Sequence, residues 1–76
     1  MIRILIADDE NLLRMAIASL LDLEEGIEVV AQADNGETAI ALTRETSPDV
    51  VLLDLEMPGL DGIDTASRIL EDHHLG

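Results

Sequence analysis

The sequence predicts an α/β protein built on a parallel sheet, and three observations carry this prediction. Three short apolar segments alternate with three stretches of helical periodicity along the chain. The first and third apolar segments run into Asp8 and Asp54, as strands do when they reach a polar loop. Hydrophobic residues make up 47% of the 76 residues, enough for a core despite a formal charge of -13. We therefore expect one small domain of three βα units over residues 1–76.

The first βα unit begins with an apolar strand and continues into an amphipathic helix. The strand contains Ile2, Ile4, Leu5 and Ile6 and ends at three acidic residues, 8–10. Apolar residues then recur at positions i, i+3, i+4 and i+7. The helix is predicted to face the sheet with these four residues: Leu13, Ala16, Ile17 and Leu20.

The second unit is predicted to lie at an edge of the sheet. Its strand, Glu28 to Ala33, carries polar Glu28 and Gln32 among apolar residues. Asn35 is a suitable N-cap for the helix that follows, and Ser47-Pro48 stops that helix, because proline disfavours a helical residue before it. The predicted inward face consists of Ala39, Leu42 and Thr43.

The third unit gives the strand order. Val50 to Leu53 is apolar on both faces, and the last helix is predicted to begin at Asp61-Gly62. Its apolar stripe contains Ile63, Ala66 and Leu70. Right-handed crossovers with the first strand in the middle give the order 2-1-3. The buried-looking third strand then lies at an edge, so we expect further strands, or another chain, to cover it.

The composition excludes several classes of function. Four arginines are the only basic residues, and lysine, cysteine, phenylalanine, tyrosine and tryptophan are absent. The chain therefore lacks the basic patch and aromatic platform of a nucleic-acid surface, and it has no disulfide or thiolate metal site. We expect no membrane span and no signal peptide, and a cytoplasmic location.

Acidic residues at the strand ends predict a metal site. Ligands of open parallel sheets bind at the carboxyl ends of the strands, where Asp8, Asp9 and Asp54 are expected to converge. Mg²⁺ prefers such oxygen ligands and commonly takes only one or two carboxylates. The alternative for Asp8 or Asp9 is a helix cap, and the alternative for Asp54 is a turn residue.

Together these motifs resemble the receiver domain of bacterial two-component response regulators. The resemblance rests on ILIADDE from residue 4, Asn35-Gly36, and PDVVLLDLEMPGLDG from residue 48. It implies a flavodoxin-like (βα)5 fold, of which residues 1–76 are the N-terminal part with the last two units absent. Receivers also carry a Ser or Thr, an aromatic residue and a Lys in those later units.

The resemblance also implies the roles of the site residues. Asp54 would be the phosphoacceptor, taking a phosphoryl group from the histidine of a sensor kinase. Asp9 and Asp54 would bind Mg²⁺ directly with the backbone carbonyl of Glu56, and Asp8 would act mainly through a water. The complete protein would control an output domain, of the LuxR-type DNA-binding class, and would not be an enzyme.

Two further hypotheses stay open at this point. Asp54-Leu55-Glu56 weakly matches the nucleophile motif of Mg²⁺-dependent phosphatases of the haloacid-dehalogenase type, although these need a lysine. The other concerns this chain itself: without the later units it would not signal and would self-associate. Two copies paired through the edge at Val50 to Leu53 would form a homodimer with a six-stranded sheet.

Overall fold

Three parallel strands and three helices form the fold in strict alternation. The computed structural model describes residues 1–57 and 62–73. The strands pair in the order β2-β1-β3, which confirms the predicted fold class and topology. In chain order the elements are β1 (Ile2–Ala7), α1 (Asn11–Asp22), β2 (Ile27–Ala33), α2 (Gly36–Thr46), β3 (Val50–Leu53) and α3 (Gly62–His73).

The register of the sheet brings the strand ends level with one another. Ala7, the last residue of β1, pairs with Ala33 on one side and Leu53 on the other. The Asp54 N–H donates to the Ala7 carbonyl at 2.9 Å, so pairing continues one residue beyond β3. Residues 8 and 54 are therefore neighbours at the carboxyl edge of the sheet.

Alternating residues of β1 belong to two separate core clusters. Leu5 and Ala7 pack with Ala39 of α2 and with Met57 from the loop after β3. Ile4 and Ile6 pack with Ala18 of α1 on the other cluster. The period of two along a strand explains this division, which leaves β1 buried from Ile4 to Ala7. The central strand is thus a rigid base for the loop that follows it.

Helix α1 faces the sheet with a different set of residues from the one predicted. Ala18 is buried, and Ile17 and Leu21 pack beside it, whereas Leu13 and Leu20 are 47% and 65% exposed. Ala16 is also exposed, so only Ile17 of the predicted inward face is correct. The helix is apolar over a wide arc, and periodicity cannot tell which part of such an arc meets the sheet.

Helix α2 follows the prediction closely. The Asn35 side chain accepts a hydrogen bond from the Thr38 N–H at 2.8 Å, which confirms it as the N-cap. Ala39 and Thr43 are buried, and Leu42 packs against the same cluster. The helix ends at Thr46, before Ser47 in the left-handed region and Pro48.

Strand β3 and helix α3 are only partly covered. Val50 and Leu52 are 41% and 42% exposed, as expected for an edge strand rather than a strand buried on both faces. On α3, Thr65 is fully buried, while the predicted stripe residues Ile63 and Leu70 are exposed. The predicted cap, Asp61, lies outside the described residues.

Helices α1 and α2 pack on opposite faces of this sheet. None of the described helices combines the length and apolar character needed to cross a membrane.

Candidate functional site

Three aspartates from two strand ends meet at the carboxyl edge of the sheet. Asp8, Asp9 and Asp54 each offer one carboxylate oxygen, and these oxygens all lie within 4.8 Å of one another. The convergence predicted from the sequence is thus found in the structure. It follows from the parallel pairing of β1 with β3, because their carboxyl ends share one edge.

Asp8 is held by its backbone and by its side chain. Its N–H donates to the Ala33 carbonyl of β2 at 3.0 Å. Its carboxylate Oδ1 accepts a hydrogen bond from the Glu10 N–H at 2.9 Å. Glu10 is itself the N-cap of α1, and that helix has no side-chain cap. The alternative that Asp8 or Asp9 caps α1 is therefore wrong.

Asp54 makes the turn predicted as its alternative role and still belongs to the cluster. Its Oδ1 accepts a hydrogen bond from the Glu56 N–H at 3.0 Å. The following Met57 is buried in the core, which anchors the loop beyond the strand. Oδ2 of Asp54 has no hydrogen bond to residues 1–57 or 62–73, so this oxygen can act as a ligand or nucleophile.

The carboxylates border an open cleft with an apolar floor. The cleft has a volume of about 350 Å³ and is lined by Ile6, Ala7, Asp8, Ile17, Leu52, Leu53 and Asp54. Asp9 is exposed beside it, whereas Asp8 and Asp54 are partly buried. Apolar walls strengthen electrostatic interactions at the rim, because they exclude water from one side of the charges.

The donor set fits a hard divalent cation. All three side chains offer oxygen, and two oxygens bound to one Mg²⁺ at about 2.1 Å are at most about 4.2 Å apart. The observed limit of 4.8 Å is within a small side-chain adjustment of that spacing. Glu56, whose carbonyl is the further predicted ligand, is tied to Asp54 through its own N–H.

Arg14, which none of the sequence motifs includes, lies against this site. One guanidinium nitrogen, Nη1, donates to the Asp8 carbonyl oxygen at 2.9 Å. The available signal was a basic residue in the first turn of the helix that follows the acidic pair. Such a residue can reach back to the strand end, because side chains of a helix point toward its N-terminus.

Comparison with known proteins gives the family. The sequence profile of the response regulator receiver domain matches residues 4–75. The response regulator GacA of Pseudomonas viridiflava is 44% identical over 73 residues, which are 96% of this chain and 34% of that protein. The chain thus spans about a third of this curated relative.

Solved structures give the same result for the fold. The response regulator domain of Thermotoga maritima CheB has a TM-score of 0.93 and 34% identity, over 96% of this chain and 55% of that one. A DNA-binding response regulator of the LuxR family from Staphylococcus aureus has a TM-score of 0.87 and 40% identity, over 96% and 61%.

A third similar structure is that of a complex whose name includes BeF3 and Mg²⁺. The CheX-CheY-BeF3-Mg²⁺ complex from Borrelia burgdorferi has a TM-score of 0.84 and 29% identity, over 97% of this chain and 56% of that one. These likenesses favour a signalling module over a phosphatase of the haloacid-dehalogenase type. With the profile matched over nearly its whole length, the chain belongs to the response regulator receiver domain family.

Proposed function

We propose that this chain is the phosphoacceptor part of a two-component response regulator, with Asp54 as the residue that receives the phosphoryl group. The observation that carries the proposal is the meeting of three carboxylates at the ends of β1 and β3. Membership of the receiver family supports it, and so does the relative crystallised with Mg²⁺ and BeF3. The phosphoryl donor would be a histidine of a sensor kinase.

The proposed chemistry is a single displacement at phosphorus. A free oxygen of Asp54 forms the new O–P bond, the P–N bond to the kinase histidine breaks, and its electron pair stays on the imidazole nitrogen. The product is an acyl phosphate on Asp54. The Glu56 N–H, bonded to Oδ1, orients the carboxylate for this attack. A bound Mg²⁺ would supply positive charge that neutralises the transferring oxygens.

The proposed metal ligands differ in how directly they bind. Asp9 and Asp54 would bind Mg²⁺ themselves, together with the Glu56 carbonyl. Asp8 would act mainly through a water, an assignment that agrees with the use of its Oδ1 by the Glu10 N–H. Chemistry of this kind changes only the chain itself, so we propose a regulatory protein rather than an enzyme acting on an external substrate.

The complete regulator would pass the signal to a separate output domain. One relative is named as a DNA-binding regulator of the LuxR family, which supports a transcriptional output. This chain carries a formal charge of -13 and would be repelled by DNA, so the output domain would make that contact. Because the phosphoryl group of a sensor kinase comes from ATP, the proposed partnership places the chain in the cytoplasm.

A second copy is the proposed partner of the β3 edge. Val50 and Leu52 are exposed there, and α3 leaves an apolar groove of about 560 Å³ beside the strand. Val51, Leu53 and Leu70 line that groove. Antiparallel pairing of two β3 edges about a two-fold axis would cover the edge of each copy and join the two sheets into one.

Metal binding tests the site directly. Isothermal titration with Mg²⁺ is expected to give a weak binding curve for the chain and a loss of at least tenfold in affinity for Asp9→Ala. Glu25→Ala is the matched control, since it removes one exposed acidic residue from the loop before β2. Equal affinity of all three proteins would refute the proposed metal site.

Phosphoryl acceptance tests the role of Asp54. With acetyl phosphate and Mg²⁺, intact-mass spectrometry is expected to detect a small fraction carrying one phosphoryl group in the wild type and none in Asp54→Asn. The fraction is small because the later units with the receiver Lys and Ser or Thr are not in these 76 residues. Labelling of Asp54→Asn at the wild-type level would remove the proposal.

A further inference from the structure

We propose that Arg14 is a positioning residue for the metal site: its guanidinium fixes the peptide between Asp8 and Asp9 and so aims the Asp9 carboxylate into the cluster. This inference rests on the proposed function, because it concerns how the Mg²⁺ ligands are arranged. Arg14 would not touch the metal ion or the phosphoryl group. It acts through the backbone that carries two of the three carboxylates.

The guanidinium of Arg14 joins three parts of the fold. Nη1 donates to the Asp8 carbonyl oxygen at 2.9 Å and to Asn11 Oδ1 at 2.8 Å. Nε donates to Gln32 Oε1 on β2 at 3.2 Å. The Arg14 N–H bonds to the Glu10 carbonyl at 2.9 Å, so the residue is anchored in the first turn of α1. One side chain thus connects the end of β1, the start of α1 and the edge strand β2.

These bonds complete the restraint of Asp8. Its N–H is held by the Ala33 carbonyl, and its Oδ1 by the Glu10 N–H. Arg14 holds the remaining polar group of that residue, the carbonyl oxygen. The peptide unit is planar, so fixing this oxygen also fixes the Asp9 nitrogen and the direction in which the Asp9 Cα leaves.

Asp9 depends on this backbone restraint more than its two partners do. Oδ1 of Asp8 and Oδ1 of Asp54 each accept a hydrogen bond from a backbone N–H. The exposed carboxylate of Asp9 makes no hydrogen bond to the part of the chain that the structure describes. Its position in the cluster therefore follows from its backbone, and Arg14 supplies one of the bonds that set that backbone.

The positive charge of Arg14 would weaken binding of a cation, whereas its positioning role would strengthen it. A guanidinium beside the cluster offsets some repulsion among the carboxylates, but it also repels Mg²⁺. If charge were its main contribution, removing it would tighten Mg²⁺ binding. If positioning dominates, losing the forked geometry weakens binding, even when the charge is kept. Lysine keeps the charge but offers a single flexible nitrogen in place of the planar fork.

The experiment is Mg²⁺ titration calorimetry on Arg14→Lys and Arg14→Gln. Both are expected to bind Mg²⁺ about tenfold more weakly than the wild type, the size of effect typical when a partner of a metal ligand is lost. Arg68→Lys and Arg68→Gln are the matched controls at an exposed position of α3 and should bind as the wild type does. Unchanged binding by Arg14→Lys, or tighter binding by Arg14→Gln, would overturn the proposal.

A metal-free measurement separates positioning from general stability. Amide NMR of Arg14→Lys is expected to report increased mobility confined to Asp9 and Glu10, with the core amides of β1 unchanged. Gln32→Ala, at an exposed position of edge strand β2, removes only the Nε anchor and is expected to weaken Mg²⁺ binding about two- to threefold. If Arg14→Lys fails to fold, the Mg²⁺ affinity of Gln32→Ala tests the positioning role instead. Wild-type affinity in Gln32→Ala would then count against the proposal.

The outcomes also separate this inference from the proposed function. Absence of Mg²⁺ binding in the wild type would overturn both. Mg²⁺ binding that is lost in Asp9→Ala and retained in Arg14→Lys would overturn only the positioning role.

Discussion

Asp8 and Asp54 make the same local hydrogen bond at the ends of two neighbouring parallel strands. In each, Oδ1 accepts the backbone N–H of the residue two positions later, Glu10 at 2.9 Å and Glu56 at 3.0 Å. The chain therefore leaves β1 and β3 through similar side-chain-stabilised turns. Both carboxylates stay at the rim of the sheet instead of swinging into solvent, so the site is formed before any ligand arrives.

The three carboxylates repel one another when no cation is bound, and Asp9→Asn should reduce this repulsion. Without divalent ions and at low salt, we expect this variant to be more stable than the wild type by about 0.5 to 1 kcal/mol, the range of exposed charge interactions. Urea unfolding with a chelator present measures the difference. Asp9 suits the test because Asn keeps its shape and removes only the charge.

Salt and location provide the controls for this prediction. The gain should shrink at high ionic strength, because exposed charges are screened. Glu25→Gln makes the same change of net charge away from the cluster and should have a smaller effect. Equal gains from the two variants would mean that Asp9 contributes only to the net charge of the chain.

The strand order and the meeting of the aspartates could be predicted from the sequence because each depends on one strong local signal. Alternating apolar segments and right-handed crossovers give the order β2-β1-β3, and that order brings Asp8 and Asp54 to one edge. The Asn35 cap is equally local. Such features need no knowledge of distant side chains.

The inward face of α1 and the role of Arg14 could not be predicted in this way. Leu13, Ile17, Ala18, Leu20 and Leu21 form a broad apolar arc, and the packing of β1 and β2 decides which part is buried. The contacts of Arg14 on α1 depend on Gln32, which is 18 residues away on strand β2. The pairing of a long polar side chain with such a partner appears only in three dimensions.

Two buried threonines should respond in opposite ways to the same substitution. The Thr43 hydroxyl donates to the Ala39 carbonyl at 2.6 Å, so Thr43→Val is expected to cost about 1 kcal/mol. The fully buried Thr65 hydroxyl has no hydrogen-bond partner among residues 1–57 and 62–73. Thr65→Val should therefore raise stability by about 1 kcal/mol. Thermal unfolding followed by circular dichroism compares the two, and a loss in both variants would contradict the assignment for Thr65.

Gly62 is required where α3 begins against the loop that follows Asp54. A Cβ at this position would collide with the backbone of Leu55, whose carbonyl accepts the Gly62 N–H at 3.2 Å. We expect Gly62→Ala to destabilise the fold by about 2 kcal/mol and to weaken Mg²⁺ binding, because Leu55 adjoins Asp54. Urea unfolding and Mg²⁺ titration measure the two effects.

Gly26→Ala is the contrasting glycine substitution. Gly26 has φ +85 and open space around its Cα, so alanine there is strained by its backbone alone. It should cost about 1 kcal/mol and leave Mg²⁺ affinity unchanged, since Gly26 precedes β2 at the opposite end of the sheet. A loss of Mg²⁺ affinity in Gly26→Ala would mean that overall stability, rather than the position of Leu55, controls the site.

The exposed β3 edge should decide the oligomeric state. Lysine discourages edge-to-edge pairing, and Leu52 lies 42% exposed in the middle of the edge strand, so Leu52→Lys is expected to convert a dimer into a monomer. Leu12→Lys is the matched control, because Leu12 is 85% exposed on α1 and away from β3. Both variants change the formal charge of -13 by the same single positive unit, so a difference between them reports loss of the edge contact and not the change of net charge. Sedimentation equilibrium measures the mass. A wild-type chain that stays monomeric at millimolar concentration, or a monomer produced equally by Leu12→Lys, would contradict pairing through β3.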